Sequence, residues 1–123
     1  MFPISMAEKN CIFCKIVNGE IPAEKIAETK NFIAFLDANP KTKGHFLIVP
    51  KDHYEALLEL PENLGNELLE FIKKTAKEQL KKVDAEGFNL VLNNHEVAGQ
   101  VVKHVHFHII PRKKSDNVVN LKV

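Results

Sequence analysis

Residues 104–110 read HVHFHII and hold three of the six histidines of the chain. Side chains alternate between the two faces of a β-strand, so the three imidazoles would share one face while Val105, Phe107 and Ile109 share the other. The apolar face suits burial against a helix, and a register shift of one residue would drive three imidazoles into the core. The stretch therefore predicts a strand of defined register with its imidazoles on the second surface of a sheet.

Three interpretations of this histidine face are open. The histidines could be structural only, although strict alternation of three argues against accident. They could bind one metal ion, but successive imidazoles ~6.6 Å apart along a strand do not easily bring three ligands to ~2.1 Å from one ion. They could also divide the work, because a neutral imidazole attacks phosphorus well near pH 7 and a neighbouring imidazolium stabilises charge or protonates a leaving group.

The rest of the chain predicts an α+β domain. Proline at the entry, lysines in the last turns and Gly87 at the exit indicate one long helix between Pro61 and Gly87. A short helix is expected within residues 52–60. Apolar alternation and short apolar runs predict strands at 23–28, 31–37, 45–50, 88–94 and 104–111. This order predicts an antiparallel sheet of about five strands packed on one long helix.

The composition is that of one soluble globular domain. The 123 residues suffice for a single core, and 45% of them are hydrophobic and 27% charged. The net charge of +1 gives no bulk attraction to nucleic acid or membrane. The start, with Met1 and Met6 as alternative initiators, lacks the features of a signal peptide. We therefore predict a cytoplasmic protein with a flexible tail at residues 1–10 and one domain at residues 11–123.

Two further segments carry residues suited to chemistry. Cys11 and Cys14 form a C-x2-C pair, which in a reducing compartment indicates metal ligands or a redox pair before a structural disulfide. Asn93 lies at a strand end, and Gly99 and Gln100 shortly precede the histidines. A glycine there allows backbone N–H groups to approach an anion, and the glutamine amide can bond a phosphate oxygen. An ordinary polar loop explains the second segment equally well.

Three ordered segments of the chain resemble the histidine triad family. The family motif, His-x-His-x-His followed by two apolar residues with apolar x, is intact at residues 104–110. Residues 11–26 (CIFCKIVNGEIPAEKI) resemble the opening of its zinc-containing branch. Residues 32–53 (FIAFLDANPKTKGHFLIVPKDH) resemble its nucleotide pocket, and residues 98–113 (AGQVVKHVHFHIIPRK) resemble its catalytic end. The resemblance implies a homodimeric α+β hydrolase or transferase that acts on purine nucleoside phosphates.

The resemblance also implies roles for single residues at the reacting centre. His106 would attack the α-phosphorus and form a nucleotidyl-histidine intermediate. His108 would contact the phosphate and assist proton transfer, and His45 would support that proton network. Val101 departs from the pattern, because many members have a serine or threonine hydroxyl there. Protonation of the leaving group, and with it the preferred substrate, is left open by this departure.

Substrate-binding and metal-binding roles follow from the same resemblance. Asp37 would bind the ribose hydroxyls, and Asn93, Gly99 and Gln100 would contact the nucleotide and its phosphate, with Gln100 also assisting catalysis. A structural zinc ion would be held by Cys11, Cys14, His53 and His104. Two other functions remain as alternatives: a nucleotide-binding regulatory or scaffold dimer with little turnover, and a metal-binding module without nucleotide function.

Overall fold

A five-stranded antiparallel sheet organises residues 10–123, the part of the chain that the computed structural model describes. The sheet has the strand order β1-β2-β3-β5-β4. Its strands are β1 (Lys25–Glu28), β2 (Phe32–Leu36), β3 (Phe46–Pro50), β4 (Gly87–Val91) and β5 (Phe107–Arg112), and its helices are α1 (Ile12–Val17) and α2 (Gly65–Val83). The predicted fold, a sheet of about five strands with one long and one short helix, is confirmed.

The flexible tail predicted at residues 1–10 lies, except for Asn10, outside the described residues. Within residues 10–123, neither α1 nor α2 combines the length and the apolar character that a transmembrane helix needs.

Both faces of the central strands are buried. One face packs on α2, where Phe46 and Ile48 share a core with Phe71, Phe107 and further apolar side chains. On the opposite face, the short helix α1 covers a second apolar cluster formed by Phe13, Ile33, Phe35, Leu47 and Val49 together with the two cysteines. Burial on both sides explains why β2 and β3 appear in the sequence as continuous apolar runs and not as strict alternations.

The histidine strand is shorter than predicted. β5 begins at Phe107, so His108 lies in the ladder, opposite Leu47 and Val91, while residues 104–106 precede it. The main chain deviates because Val105 donates its N–H to Tyr54 O at 2.7 Å and not to a neighbouring strand. The predicted alternation is confirmed nevertheless, since Val105, Phe107 and Ile109 all lie in the core beneath α2.

The short helix is not where the sequence predicted it. Residues 52–60 contain only the 3-10 turn Leu57–Glu59, because backbone groups here bond to distant partners: Leu57 N–H donates to Asn94 Oδ1, and Glu55 O accepts from Gln100. The short helix is instead α1, which begins directly after Cys11. The Cys11 sulfur accepts a hydrogen bond from Cys14 N–H at 3.3 Å and so caps the first turn.

The ends of the long helix also differ from the prediction. A 3-10 turn, Glu62–Leu64, follows Pro61, and α2 itself starts at Gly65. The residue in the left-handed conformation that ends α2 is Asp84, with φ 56°. Gly87 is therefore not the helix exit but the first residue of β4.

The loop between β2 and β3 is held against α2 at Gly44. Gly44 has φ +87°, and a Cβ added there would lie 2.8 Å from Val83 Cγ1. Its carbonyl accepts a hydrogen bond of 3.0 Å from the buried Gln79 side chain. These contacts set the position of His45, the next residue.

We expect Gly44→Ala to lower the free energy of unfolding by about 2–4 kcal/mol, because both a positive φ and a tight contact oppose a methyl group. Chemical denaturation would measure the loss. In a double-mutant cycle with Val83→Ala, the double variant should lose less stability than the sum of the two single losses, since removing the valine methyls relieves the contact. Unchanged unfolding of Gly44→Ala would contradict the close approach.

Candidate active site and metal centre

Four side chains from three parts of the chain converge beside α1. Cys11 Sγ lies 3.3 Å from His104 Nδ1, and Cys14 Sγ lies 3.4 Å from the same nitrogen and 3.2 Å from His53 Nδ1. The four ligand atoms all lie within 4.8 Å of one another. The structure therefore brings together all four residues that the family resemblance assigned to zinc.

The donor set of this cluster fits a tetrahedral zinc ion. His104 Nε2 lies 2.9 Å from Pro50 O, and because a carbonyl only accepts, that nitrogen carries the proton. The Nδ1 lone pair then faces the two sulfurs, as a metal ligand requires. Burial lowers the pKa of His104 to about 4, which keeps the imidazole neutral. Two thiols and two imidazoles make a closed set of the kind found in structural zinc sites.

His106 is oriented by the same segment. Its Nδ1 lies 2.8 Å from His104 O and must donate to it, so the Nε2 lone pair remains available. Phe13, the third residue of the CIFC stretch, packs edge-on against the His106 ring with 5.0 Å between ring centroids. Burial lowers the pKa of His106, which favours the neutral and nucleophilic form.

A second pair of imidazoles lies next to His106. His45 Nε2 lies 3.0 Å from His108 Nδ1 and 3.4 Å from Asp37 Oδ2. Burial is the main cause of a lowered pKa in both histidines. The pKa of His108 falls to about 4. Among the described residues, His108 Nε2 is the buried side-chain nitrogen or oxygen without a hydrogen-bond partner. The lack of a partner for a buried polar atom costs free energy, and a hydrogen bond to a ligand would remove that cost.

A cleft of about 890 Å³ opens over these imidazoles. Asp37, His45, His106 and His108 line it. One wall is apolar and consists largely of α1 and the end of β2, with the side chains Ile12, Phe13, Ile16 and Leu36. Gly99, Val101, Val102, Lys122 and Val123 also line the cleft. The volume lies within the range of about 300–1,000 Å³ that small-molecule sites occupy.

The apolar wall was missed by sequence reasoning. Ile12, Phe13 and Ile16 belong to α1, a helix that the sequence did not predict. Their spacing, three and four residues apart, could have indicated one face of a helical turn. Phe13 and Ile16 also belong to the apolar cluster between α1 and the sheet, so only the tertiary structure shows that this helical turn borders a cleft as well.

The loop before the histidines is braced by Gln100. This side chain is only 3% exposed; its oxygen accepts from His95 N–H at 2.6 Å, and its nitrogen donates to Glu55 O and Val102 O. All these partners are main-chain groups of the loop and its neighbour. Gln100 is not among the residues that line the cleft, and its predicted contact with a phosphate stays a prediction.

Asn93 and Gly99 differ in their position relative to the cleft. Asn93 is not among its lining residues, and its side-chain nitrogen donates at 2.9 Å to the carbonyl of Val123, which does line it. The predicted nucleotide contact of Asn93 stays a prediction. Gly99 does line the cleft, with φ +96°, a conformation that side chains other than glycine rarely adopt. Its backbone is therefore exposed where an anion can approach.

An antiparallel sheet carrying a His-x-His-x-His run beside a cleft of this size defines a histidine triad protein. The chain belongs to the HIT family, since the model of the HIT domain matches residues 18–115. An uncharacterized HIT-like protein of Methanocaldococcus jannaschii is 56% identical over 111 residues, which cover 89% of this chain and 84% of that protein.

Two further similarities concern an enzyme and a metal-bound structure. An adenosine 5'-monophosphoramidase of Schizosaccharomyces pombe is 44% identical over 107 residues, which cover 87% of this chain and 77% of that protein. The crystal structure of a Zn-bound histidine triad family protein from Mycobacterium smegmatis has a TM-score of 0.84 and 34% identity, and the match covers 91% of this chain and 81% of that one.

Proposed function

We propose that the protein is a nucleotide hydrolase or nucleotidyl transferase that cleaves purine nucleoside derivatives at the α-phosphorus. The observation that carries this proposal is the orientation of His106. Its Nδ1 proton is held by His104 O at 2.8 Å, so its Nε2 lone pair is free at the cleft. The ring of His108 lies beside it with 5.0 Å between centroids. Kinship with an adenosine 5'-monophosphoramidase supports the same reaction class.

The reaction proceeds in two displacements. His106 Nε2 attacks the α-phosphorus, a P–N bond forms, and the bond to the leaving group breaks with its electron pair. The leaving group then takes a proton from solvent where its basicity requires one. Water attacks the phosphorus of the nucleotidyl-histidine and the P–N bond breaks. The attacking water loses a proton, the nucleoside monophosphate is released, and neutral His106 is regenerated. Dividing one displacement into two lowers the barrier of each.

The walls of the cleft suggest how the nucleotide lies. The apolar wall of α1 offers a surface for the base. Asp37 lines the cleft at 17% exposure, and its carboxylate can accept hydrogen bonds from the ribose hydroxyls. Gly99 lets backbone groups approach the phosphate, and His108 Nε2 faces the phosphoryl oxygens. Gln100 contributes by holding the loop in place.

Cys11, Cys14, His53 and His104 are proposed to hold a structural zinc ion. When bound, the ion neutralises the two thiolates and cross-links α1 to the ends of β3 and β5. This connection matters for the reaction because His104 O orients His106. The solved Zn-bound relative supports the assignment. A reducing compartment such as the cytoplasm would keep both thiols available for the metal.

Val101 bears on the choice of leaving group. It lines the cleft at 85% exposure and has no hydroxyl with which to donate or accept a hydrogen bond. The protein therefore offers no help to a leaving group at this position. Substrates whose leaving group departs readily, such as acyl adenylates or dinucleoside polyphosphates, need that help least, whereas simple phosphoramidates need it most.

We expect at least one member of a substrate panel to be hydrolysed and to leave a nucleoside monophosphate adduct on His106. The panel would contain adenosine and guanosine phosphoramidates, an acyl adenylate and a dinucleoside polyphosphate. Rates would be compared by chromatography, and the adduct located by mass spectrometry of quenched protein. Neither an adduct nor hydrolysis across the panel would overturn the proposal and favour a nucleotide-binding module instead.

A homodimer formed through the β4 edge is proposed as the working state. β4 ends the sheet and exposes Phe88 at 40% and Leu90 at 49%. The opposite edge strand, β1, instead carries Lys25 and Glu28, charges of the kind that prevent edge-to-edge pairing. An apolar and uncharged edge strand is suited to pairing with a second copy of the chain.

Leu90→Lys is accordingly expected to convert the dimer into a monomer, because a charge at an open strand edge opposes pairing. Light scattering coupled to size exclusion would give the mass of each variant. Glu28→Lys, which places a lysine at an exposed position of the β1 edge, should leave the dimer intact. A monomeric wild-type protein at micromolar concentration would contradict the assembly.

A further inference from the structure

The loop between β2 and β3 directs a backbone amide at the His45 ring. Lys41 N–H donates to His45 Nδ1 at 3.0 Å. We propose that this main-chain N–H is a positioning group that places the protons of both His45 and His108 on Nε2, so that His108 presents a hydrogen-bond donor, and not a transferable proton, to the cleft. The use of that donor rests on the proposed function, whereas the proton placement does not.

The placement follows from counting donors and acceptors. An amide N–H only donates, so His45 Nδ1 must hold a lone pair, and the single proton of the neutral ring lies on Nε2. That N–H faces His108 Nδ1 at 3.0 Å, which must therefore accept. The proton of His108 then lies on Nε2, the buried nitrogen at the cleft that has no partner within residues 10–123.

The opposite arrangement is disfavoured. A proton on His108 Nδ1 would require His45 Nε2 to accept and would move the His45 proton to Nδ1. Two N–H groups would then face each other across the 3.0 Å between Lys41 N and His45 Nδ1. Asp37 Oδ2, 3.4 Å from His45 Nε2, favours the same placement because it also attracts a proton there.

The same argument decides between two possible metal sites. Ligand atoms of Asp37, His45 and His108 lie within 4.8 Å of one another, as do those of the cysteine cluster. An ion among them would need the lone pair of His45 Nε2, and the amide of Lys41 keeps a proton on that nitrogen. Within residues 10–123, geometry alone permits two metal sites, and proton placement leaves the one with the cysteines.

Tertiary contacts hold the amide in this position. Thr42 Oγ1 donates to Pro111 O at 2.7 Å and so ties the loop to β5, the strand that carries His108. His45 N–H donates to Thr42 O at 3.2 Å, which closes the loop on itself. The tight contact of Gly44 with α2 fixes its other end. The relative positions of Lys41, His45 and His108 are thus set by the folded sheet.

This placement limits what His108 can do. If His108 gave its Nε2 proton to a leaving group, it would become an imidazolate, and a replacement proton from His45 would move the same negative charge to His45. His108 therefore acts on the phosphoryl oxygens by a hydrogen bond that needs no reorganisation during the reaction. The proton-transfer role that the family resemblance suggests for His108 is revised accordingly.

The test is the tautomeric state of the two rings in the zinc-loaded protein. Long-range proton–nitrogen correlation spectra of 15N-histidine-labelled protein near neutral pH should show His45 and His108 protonated on Nε2 alone. A His108 ring protonated on Nδ1, or on both nitrogens, would overturn the proposal. The spectra need no substrate, so this outcome is distinguishable from failure of the proposed function, which the adduct experiment decides.

Two variants at Lys41 extend the test. Lys41→Pro removes the N–H and should allow the His45 proton to exchange between both nitrogens. We expect kcat to fall ~10²–10³-fold with KM changed far less, as for loss of one preorganised donor. Lys41→Ala keeps the amide and removes the ammonium group, so both rings should keep the wild-type tautomers. Loss of those tautomers in Lys41→Ala would assign the effect to the side chain and overturn the role of the amide.

Discussion

His106→Asn is expected to lower turnover by at least ~10³-fold while nucleotide binding persists, as for the loss of an attacking nucleophile in other covalent mechanisms. Asparagine can still donate a hydrogen bond to His104 O but offers no basic lone pair for attack on phosphorus. The cleft walls and Asp37 are untouched, so binding should change little. Single-turnover kinetics would measure the loss, and calorimetry with a nucleoside monophosphate would measure binding.

A matched control is His95→Asn. This histidine is about half exposed, pairs with Glu55 at 3.1 Å and is not among the residues that line the cleft. The control should turn over at the wild-type rate. Single-turnover cleavage by His106→Asn at the wild-type rate would show that another group attacks the phosphorus.

Loss of zinc is the second change for which we expect a large effect. Cys14→Ser should lower the melting temperature by at least about 10 °C, because a structural metal contributes its binding free energy to folding and each kcal/mol shifts a domain of this size by roughly 3–5 °C. The folded state would also lose the link between α1 and the sheet. Differential scanning calorimetry would measure the shift, and metal analysis should find one zinc per wild-type chain.

Two controls separate metal loss from a simple polar substitution. A strong chelator should destabilise the wild-type protein to about the level of Cys14→Ser and should not destabilise that variant further. Ile12→Ser, on the same helical turn at 45% exposure, should retain its zinc. Zinc-free protein after purification without chelator, together with a melting temperature that does not respond to chelator, would reject the metal centre.

The fold was largely predictable because its signals are local. Period-two alternation at residues 104–110 places Val105, Phe107 and Ile109 in the core whether or not a regular strand begins at His104. Helical spacing predicted α2, and strand and turn signals predicted the sheet. The element predictions that were wrong concern segments whose ends depend on hydrogen bonds that local patterns do not show. Residues 52–60 bond to the loop before the histidines, and α1 is started by a cysteine sulfur and not by a usual capping residue.

The site was predictable only in part. The types and positions of the chemical groups could be taken from the motif and its resemblance to a family, and the structure brings the four cysteine and histidine residues of the metal cluster together. The ligand contacts that the resemblance implies for Asn93 and Gln100 stay predictions. In the structure both side-chain amides donate to main-chain carbonyls, of Val123 and of Glu55, and the fold decides which carbonyls lie within reach.

The sequence by itself determined which histidines share a face, because alternation along a strand is a local property of the backbone. It also specified a cysteine pair, an apolar core and a glycine before the triad. Only the tertiary structure decided which nitrogen of each ring carries its proton. That choice depends on His104 meeting Pro50 O, His106 meeting His104 O, and His45 meeting the Lys41 amide. Pro50 O comes from a distant segment, whereas His104 O and the Lys41 amide are local groups that the folded main chain turns towards the rings. Hydrogen-bond direction is set by the atom that a ring meets in space.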